Sequence, residues 1–301
     1  GAEARGYTPE VLGCPIYPSA GLEERYQYVH GEHPYKSIKT WNVAGMIQDA
    51  TFLINFAHAK GHPSCGYGGA IKNLALGCMT GPTRSAMHDV MHYEPYWFPE
   101  RCPDPAAFKA LLASCPHGAL VEDKHHPGHI HLHFEECNQC GRCLKVAPAG
   151  SLKIDPVNFH AFQEACAIST SVTLSTFAPE KRTHMVLATH MTPVCDCFGF
   201  TSMPILPDAG IFGSDDLVAL ETAVLDATSR TPLLEANVPT SMEVHTRAGH
   251  PLRWLHGPHK DPYLVTEYAE QLGLGSRAYE LVDVFPVEQV FQSEAVYIAA
   301  A

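Results

Sequence analysis

Hydrophobic positions along the 301-residue chain fall into short continuous runs and longer helical stripes. Residues 50–57 (ATFLINFA) form a nearly unbroken apolar run, the pattern of a buried strand in a parallel sheet. A second run covers 185–188, and a third lies within 204–214, punctuated by Pro204, Pro207, Gly210 and Gly213. Residues 215–228 then change to helical spacing, with Leu217, Leu220, Val224 and Leu225 on one face. Ser214 stands where the N-cap belongs, and Asp215 and Asp216 suit the positive end of that helix. Residues 159–176 read as another helix, with Cys166 as a small core residue. Over 129–134, His129, His131 and His133 alternate with Ile130, Leu132 and Phe134, a half-buried strand with an exposed polar face. The pattern predicts an α/β fold with a mostly parallel sheet core, interrupted by an α+β insertion. The boundaries drawn are 1–98 and 158–301 for the two parts of the core and 99–157 for the insertion.

The chain carries 11 cysteines and 19 histidines. An odd cysteine count in a chain of this size argues against a disulfide framework. Cys137-Asn-Gln-Cys140-Gly-Arg-Cys143 sets three thiols in one tight loop, the spacing at which each reaches a different iron of a [4Fe–4S] cluster. A zinc knuckle or free thiols are the alternatives. A bacterial ferredoxin run continues to a fourth Cys followed by Pro, where this chain has Ala147-Pro148. Upstream, Cys115-Pro-His-Gly-Ala-Leu aligns with Ala147-Pro-Ala-Gly-Ser-Leu, pairing Pro116 with Pro148, Gly118 with Gly150, Leu120 with Leu152 and Asp123 with Asp155. This looks like the internal repeat of a two-cluster ferredoxin. Projected backwards, the counterparts of Cys137, Cys140 and Cys143 are Pro105, Phe108 and Leu111. One site has lost all its cysteines, and Cys115, Cys137, Cys140 and Cys143 remain together to hold one [4Fe–4S] cluster in a ferredoxin-like insertion.

Each apolar run leads into a loop rich in polar ligands. The first gives His58-Ala-Lys60-Gly-His62-Pro-Ser-Cys65, then Gly68-Gly69-Ala-Ile-Lys72 and Gly77-Cys78; the second gives Cys195-Asp196-Cys197. A Cys-x-Cys is too tight for an unstrained disulfide within one strand and suits two ligands to one metal or cluster. In open α/β sheets, ligands bind beyond the carboxyl ends of the strands. The loops are therefore expected to converge on a second centre. Cys78, Cys195 and Cys197 would be its thiolates and His58 or His62 its fourth ligand, a set suited to zinc or a second Fe–S cluster. Separate buried cysteines are the plainer alternative. His62 and Lys72 are the candidate catalytic groups, for proton delivery and for holding substrate. Residues 239–262, with His245, His250, His256 and His259 among prolines and glycines, read as a surface loop.

Several of these motifs occur in order in a known family. His58-x-Lys-Gly-His62, Gly66-Tyr-Gly-Gly-Ala-Ile-Lys-Asn-Leu74, Gly77-Cys78, Cys195-Asp-Cys197, Pro207-Asp-x-Gly210 and Ser214-Asp215 resemble the "domain of unknown function 362" family, often labelled Fe–S centre proteins. The resemblance runs over about 40–280 and includes the position of the ferredoxin-like insertion. Two departures stand out: the insertion usually carries two Cys triples, and a further N-terminal βα segment is shortened or absent here. The Gly-Gly-x-x-Lys72 loop also faintly resembles the pincer-nickel racemases; a contact to an anionic substrate, or a surface position, is the simpler role for Lys72.

Charge narrows the partners. Lys plus Arg number 20 against 32 Asp plus Glu, a net charge of −12 with neutral histidines. No Lys/Arg cluster is present to neutralise phosphates, so no nucleic-acid partner is expected. No apolar run reaches the roughly 18 residues of a membrane span. Charged residues make up 17%, below the usual share of about 25%. A low-charge surface predicts coverage by a redox partner protein, by further copies of the chain, or by a larger complex. The chain opens with Gly1, so its start is expected to be processed or missing; a cytoplasmic setting is expected, with a periplasmic one left open. Three readings follow: an iron–sulfur oxidoreductase that passes electrons from one [4Fe–4S] cluster to the second centre, an electron-transfer subunit with no substrate of its own, or a metal-binding or assembly protein.

Overall fold

The computed structural model describes residues 3–240, 242, 244 and 247–284. Strands β1 (Gln27–His30) and β2 (Trp41–Ala44) pair antiparallel, and the fully buried Trp41 donates its indole N–H to the His33 carbonyl at 2.7 Å. β3 (Leu53–His58) leads into a tight hairpin of β4 (Lys60–His62) and β5 (Gly66–Gly68), followed by α1 (Ala70–Gly77) and α2 (Gly81–Asp89). Next come α3 (Pro105–Ala113), the antiparallel pair β6 (Leu120–Glu122) and β7 (Ile130–Leu132), and α4 (Arg142–Val146). α5 (Pro156–Ser175) runs through the centre and packs on α1 and on α8 (Leu264–Gln271), burying Phe159, Phe162, Ala165 and Cys166. β8 (Arg182–Ala188), β9 (Gly210–Ser214), α6 (Leu217–Ser229) and α7 (Pro251–His256) precede α8.

The central sheet has the order β3-β8-β9, with β3 and β8 parallel but β8 and β9 antiparallel. The mostly parallel sheet expected from the sequence is thus reduced to one parallel pair in a mixed sheet. Connection length explains the difference. The chain between β3 and β8 contains α1 to α5 and can cross over, whereas residues 189–209 contain no long helix and return the chain antiparallel. β3 is also not buried on both faces. Leu53, Asn55 and Ala57 point inward, while Ile54 and Phe56 are 64% and 58% exposed. α1 and α6 cover the inner face. Ile54, Phe56, Met185 and Ile211 leave the other apolar and open.

Two local expectations shift. Asp216 rather than Ser214 caps α6, accepting the Val218 and Ala219 N–H groups at 2.9 Å each, while Ser214 Oγ accepts the Asp216 N–H at 3.0 Å. Residues 250–256 of the expected surface loop are instead α7 and its cap: His250 and His256 are 1% and 4% exposed. His250 Nδ1 accepts the Leu252 N–H and Nε2 meets Thr228 Oγ1 at 2.9 Å, so this imidazole caps α7 and ties it to α6. His245 lies outside the described residues.

Aligned pairs of the sequence repeat share backbone geometry. Gly118 and Gly150 both take left-handed φ values, +67° and +74°. Asp123 and Asp155 each accept a backbone N–H two residues on, from His125 and Val157. Trp97 bridges Leu152 antiparallel, and α3 packs on α4. Where the repeat lacks cysteines, Leu111 is fully buried and Phe108 and Ala147 pack against the core.

Candidate metal centre

The parallel pair β3–β8 sends both of its carboxyl ends to the same edge, and the site forms there. β4 ends on His62, opposite Gly66. Gly61 donates its N–H to Thr192 O at 2.8 Å, which draws the loop after β8 onto the hairpin. Only glycine fits at 61: a Cβ would run into the Pro193 carbonyl. That loop then delivers Cys195 and Cys197, with the Cys197 N–H donated to Cys195 Sγ at 3.4 Å. Lys72 enters from the first turn of α1, its Nζ 3.6 Å from Cys195 Sγ and 3.7 Å from Cys197 Sγ. His62, Cys195 and Cys197 place one ligand atom each within 4.8 Å of one another, a group that could hold a metal ion. Cys197 Sγ lies 3.9 Å from His62 Nε2.

Electrostatics suit a cationic guest. The Cys197 thiol, the Lys72 and Lys60 ammoniums and the Cys197 N–H together hold Cys195 down at about 5, against burial, while sharing the proton pushes Cys197 up. Burial and the neighbouring Lys72 keep His62 well below the usual imidazole range, leaving it neutral and able to ligate. A metal on Nε2 requires the proton on Nδ1. Here Nδ1 accepts the Ser64 N–H at 3.2 Å and lies 3.4 Å from Cys65 Sγ, whose own hydrogen goes to Tyr67 O at 3.0 Å, so ligation through Nε2 would require the Ser64 bond to give way to an Nδ1–H donated to that sulfur. Three protein ligands facing space is the pattern of a centre with an open position. Here the space is a cavity of about 970 Å³, which also meets Lys60, Arg84, His88, His92, His131 and Glu135.

The other expected ligands lie elsewhere. Cys78 is buried at the far end of α1 and is not among the residues lining the cavity; burial pushes its thiol up to about 12. His58 is next to the group but engaged, with Nε2 2.8 Å from Thr189 O and Nδ1 3.2 Å from Asp196 Oδ2. Cys115, Cys137, Cys140 and Cys143 line a separate small cavity, with Leu120, Leu132 and Ile154. Burial and the other three thiols raise Cys143 to about 11. Gln139 and Gly141, with φ of +63° and +72°, wind the backbone between them. Among the described residues, this quartet does not close to the 4.8 Å spacing of the His62 group.

A family model described as "Domain of unknown function (DUF362)" matches residues 1–226. The chain belongs to the DUF362 family. No curated protein and no solved structure matches it. In this DUF362 chain, no helix among the described residues is long and apolar enough to cross a membrane.

Two residues of the site carried no motif in the sequence. Cys65 stood in the glycine-rich loop with no assigned role. Glu221 sits on the apolar face of α6, between Leu217 and Val224, fully buried. Its carboxylate accepts the Ala70 N–H and, at 3.2 Å, the Ile71 N–H, so it caps the helix that carries Lys72. A lone acid inside an apolar stripe was the available signal. Burial raises this carboxyl to about 7. The histidine excess also finds a place: His92 stacks on His131 at 4.7 Å along the cavity wall, joining α2's end to β7.

Proposed function

We propose that this DUF362 chain is an iron–sulfur redox protein. Cys115, Cys137, Cys140 and Cys143 would hold one [4Fe–4S] cluster, and His62, Cys195 and Cys197 a second metal or cluster at the large cavity. The observation that carries the reading is the shared cavity of the four cysteines, set apart from the Cys/His group. The donor set fits. A single zinc ion with sulfur bonds of about 2.3 Å draws its ligands tightly together, whereas cysteines that each bind a different iron stand further apart. Such a cluster supplies single electrons. At the second centre His62 and Lys72 would bind and protonate a small substrate, with Cys65 and Glu221 fixing their positions.

Iron, sulfide and zinc analysis with EPR on anaerobically reconstituted protein tests this. About four irons and four sulfides per chain are expected at the first site. They should be lost in Cys140→Ser, whereas Cys195→Ser with Cys197→Ser should remove only the second metal. Unchanged iron in Cys140→Ser overturns the cluster assignment. Cluster oxidation on adding substrate would mark an enzyme. A metal-binding or assembly role without redox chemistry is favoured by the compactness of the His62 group; zinc there, with no iron anywhere, would support it. The open apolar sheet face favours a subunit of a larger complex, for which a cluster reoxidised only by a partner protein would be expected.

A further inference from the structure

Among the described residues, Lys260 is the one lysine or arginine that is buried, at 1% exposure. Its ammonium donates to the carbonyls of Phe134 and Cys137, each at 2.8 Å, and reaches Glu135 O at 3.5 Å. It also stands 5.6 Å from the centre of the Phe159 ring. These partners satisfy its hydrogens but do not neutralise it. A buried cation is costly unless negative charge lies close by. Burial lowers Lys260 to about 8, against the opposing pull of the Cys137 and Cys65 sulfurs and the Glu135 and Glu136 carboxylates.

The placement is heavily constrained. Gly66, at φ +79°, packs so closely on the Lys260 carbonyl that a Cβ would collide with it. The His259 N–H donates to Gln139 Oε1 at 2.7 Å, and Gly257, at φ +110°, lies against Asn138 O. Residues 257–260 therefore wrap the first half of the Cys triple, while the His62 hairpin fixes the backbone from behind. An ordinary structural strap would need no charge at its tip, and burying one there has a cost that an apolar side chain would avoid.

We infer that Lys260 is the buried counter-charge of the four-cysteine site, a positioning residue that makes the site easier to reduce. The inference rests on the [4Fe–4S] reading. Reduction adds one electron and one negative charge, with no bond made or broken. A buried ammonium hydrogen-bonded to the Cys137 carbonyl stabilises the more negative state and raises the potential.

The test is a dithionite titration of the reconstituted full chain, followed by EPR at fixed pH and salt, for wild type, Lys260→Met and Lys260→Gln. Both variants should hold as much iron and sulfide as wild type and reduce at a clearly more negative potential. Lys260→Gln keeps N–H donors for the carbonyls and decides the matter if Lys260→Met does not fold. Folded, loaded variants that titrate at the wild-type potential overturn the inference. A Lys260→Gln chain that fails to fold, or that folds by circular dichroism but holds no iron, overturns it as well, because Lys260 would then be structural. Wild type that takes up no cluster overturns the [4Fe–4S] reading itself.

Discussion

The Lys72 ammonium stands between two thiols, 3.6 Å from Cys195 Sγ and 3.7 Å from Cys197 Sγ. Burial opposes its charge, and these two sulfurs, together with those of Cys65 and Cys166, outweigh burial and raise its affinity for the proton. The stabilisation is mutual, so Lys72 is part of what keeps Cys195 ionised near pH 6. In metal-free protein, Lys72→Met should slow iodoacetamide labelling of Cys195 at that pH by about twofold, because a rise of roughly one pKa unit from about 5 takes the thiolate from about nine-tenths to about half of the population. Peptide mass spectrometry reads the rate, and equal rates would remove Lys72 from the electrostatics of the pair.

Glu221 gives a stability prediction with a definite sign. Its buried carboxyl has a folded pKa of about 7 against an ordinary 4.5. The folded state thus binds the proton more tightly than the unfolded one. Its contribution is intact below about pH 4.5 and is lost as the pH rises to about 7, by up to roughly 3 kcal/mol. Glu221→Gln cannot lose a proton, and its amide oxygen can still accept from Ala70 and Ile71. Between pH 5 and pH 8, the variant's melting temperature should gain on that of wild type. A constant gap across that range would show that Glu221 does not titrate there.

The half of the sequence repeat that lacks cysteines should behave as plain core. Leu111 is fully buried where the aligned position in the other half is Cys143. Leu111→Ala should cost about 2–5 kcal/mol of stability, the usual range for a leucine truncated in a packed interior. Under the proposed cluster assignment, the iron content at Cys115, Cys137, Cys140 and Cys143 should stay the same. Denaturant unfolding measures the first and metal analysis the second; loss of iron at full stability would place Leu111 in the wrong role.

Much of this architecture was legible in the sequence, and the misses have physical causes. The alternation around His131 and the stripe through Leu217 and Val224 located β7 and α6, because side-chain periodicity follows directly from backbone geometry. Strand direction is not encoded that way, so the antiparallel β9 was invisible. Cys195, Cys197 and His62 meet, but Cys78 does not join them. Cys78 follows Lys72 by six residues in sequence, about 9 Å along a helix whose first turn faces the site. Lys260 and Glu221 gave no motif because their roles depend on what is packed around them, which only the fold determines.

Gly61 tests whether the second centre depends on backbone contact as much as on its ligands. Its N–H bonds Thr192 O at 2.8 Å, and His256 Nε2 meets Pro193 O at 2.8 Å from the other side. The segment leading to Cys195 is thus held between a glycine and a buried imidazole. A methyl group at 61 would run into the Pro193 carbonyl and also meet the buried His256 imidazole, whose Nε2 would lie 2.8 Å away. Gly61→Ala should therefore push the 193–197 loop outward and separate the thiols from His62. Metal affinity at that centre should fall at least tenfold, although no ligand is removed, while iron at the Cys137 site is retained. Competition with a chelator, read separately for the two sites, measures this. Retained affinity in the variant would mean that the thiol pair finds its metal without the hairpin's support.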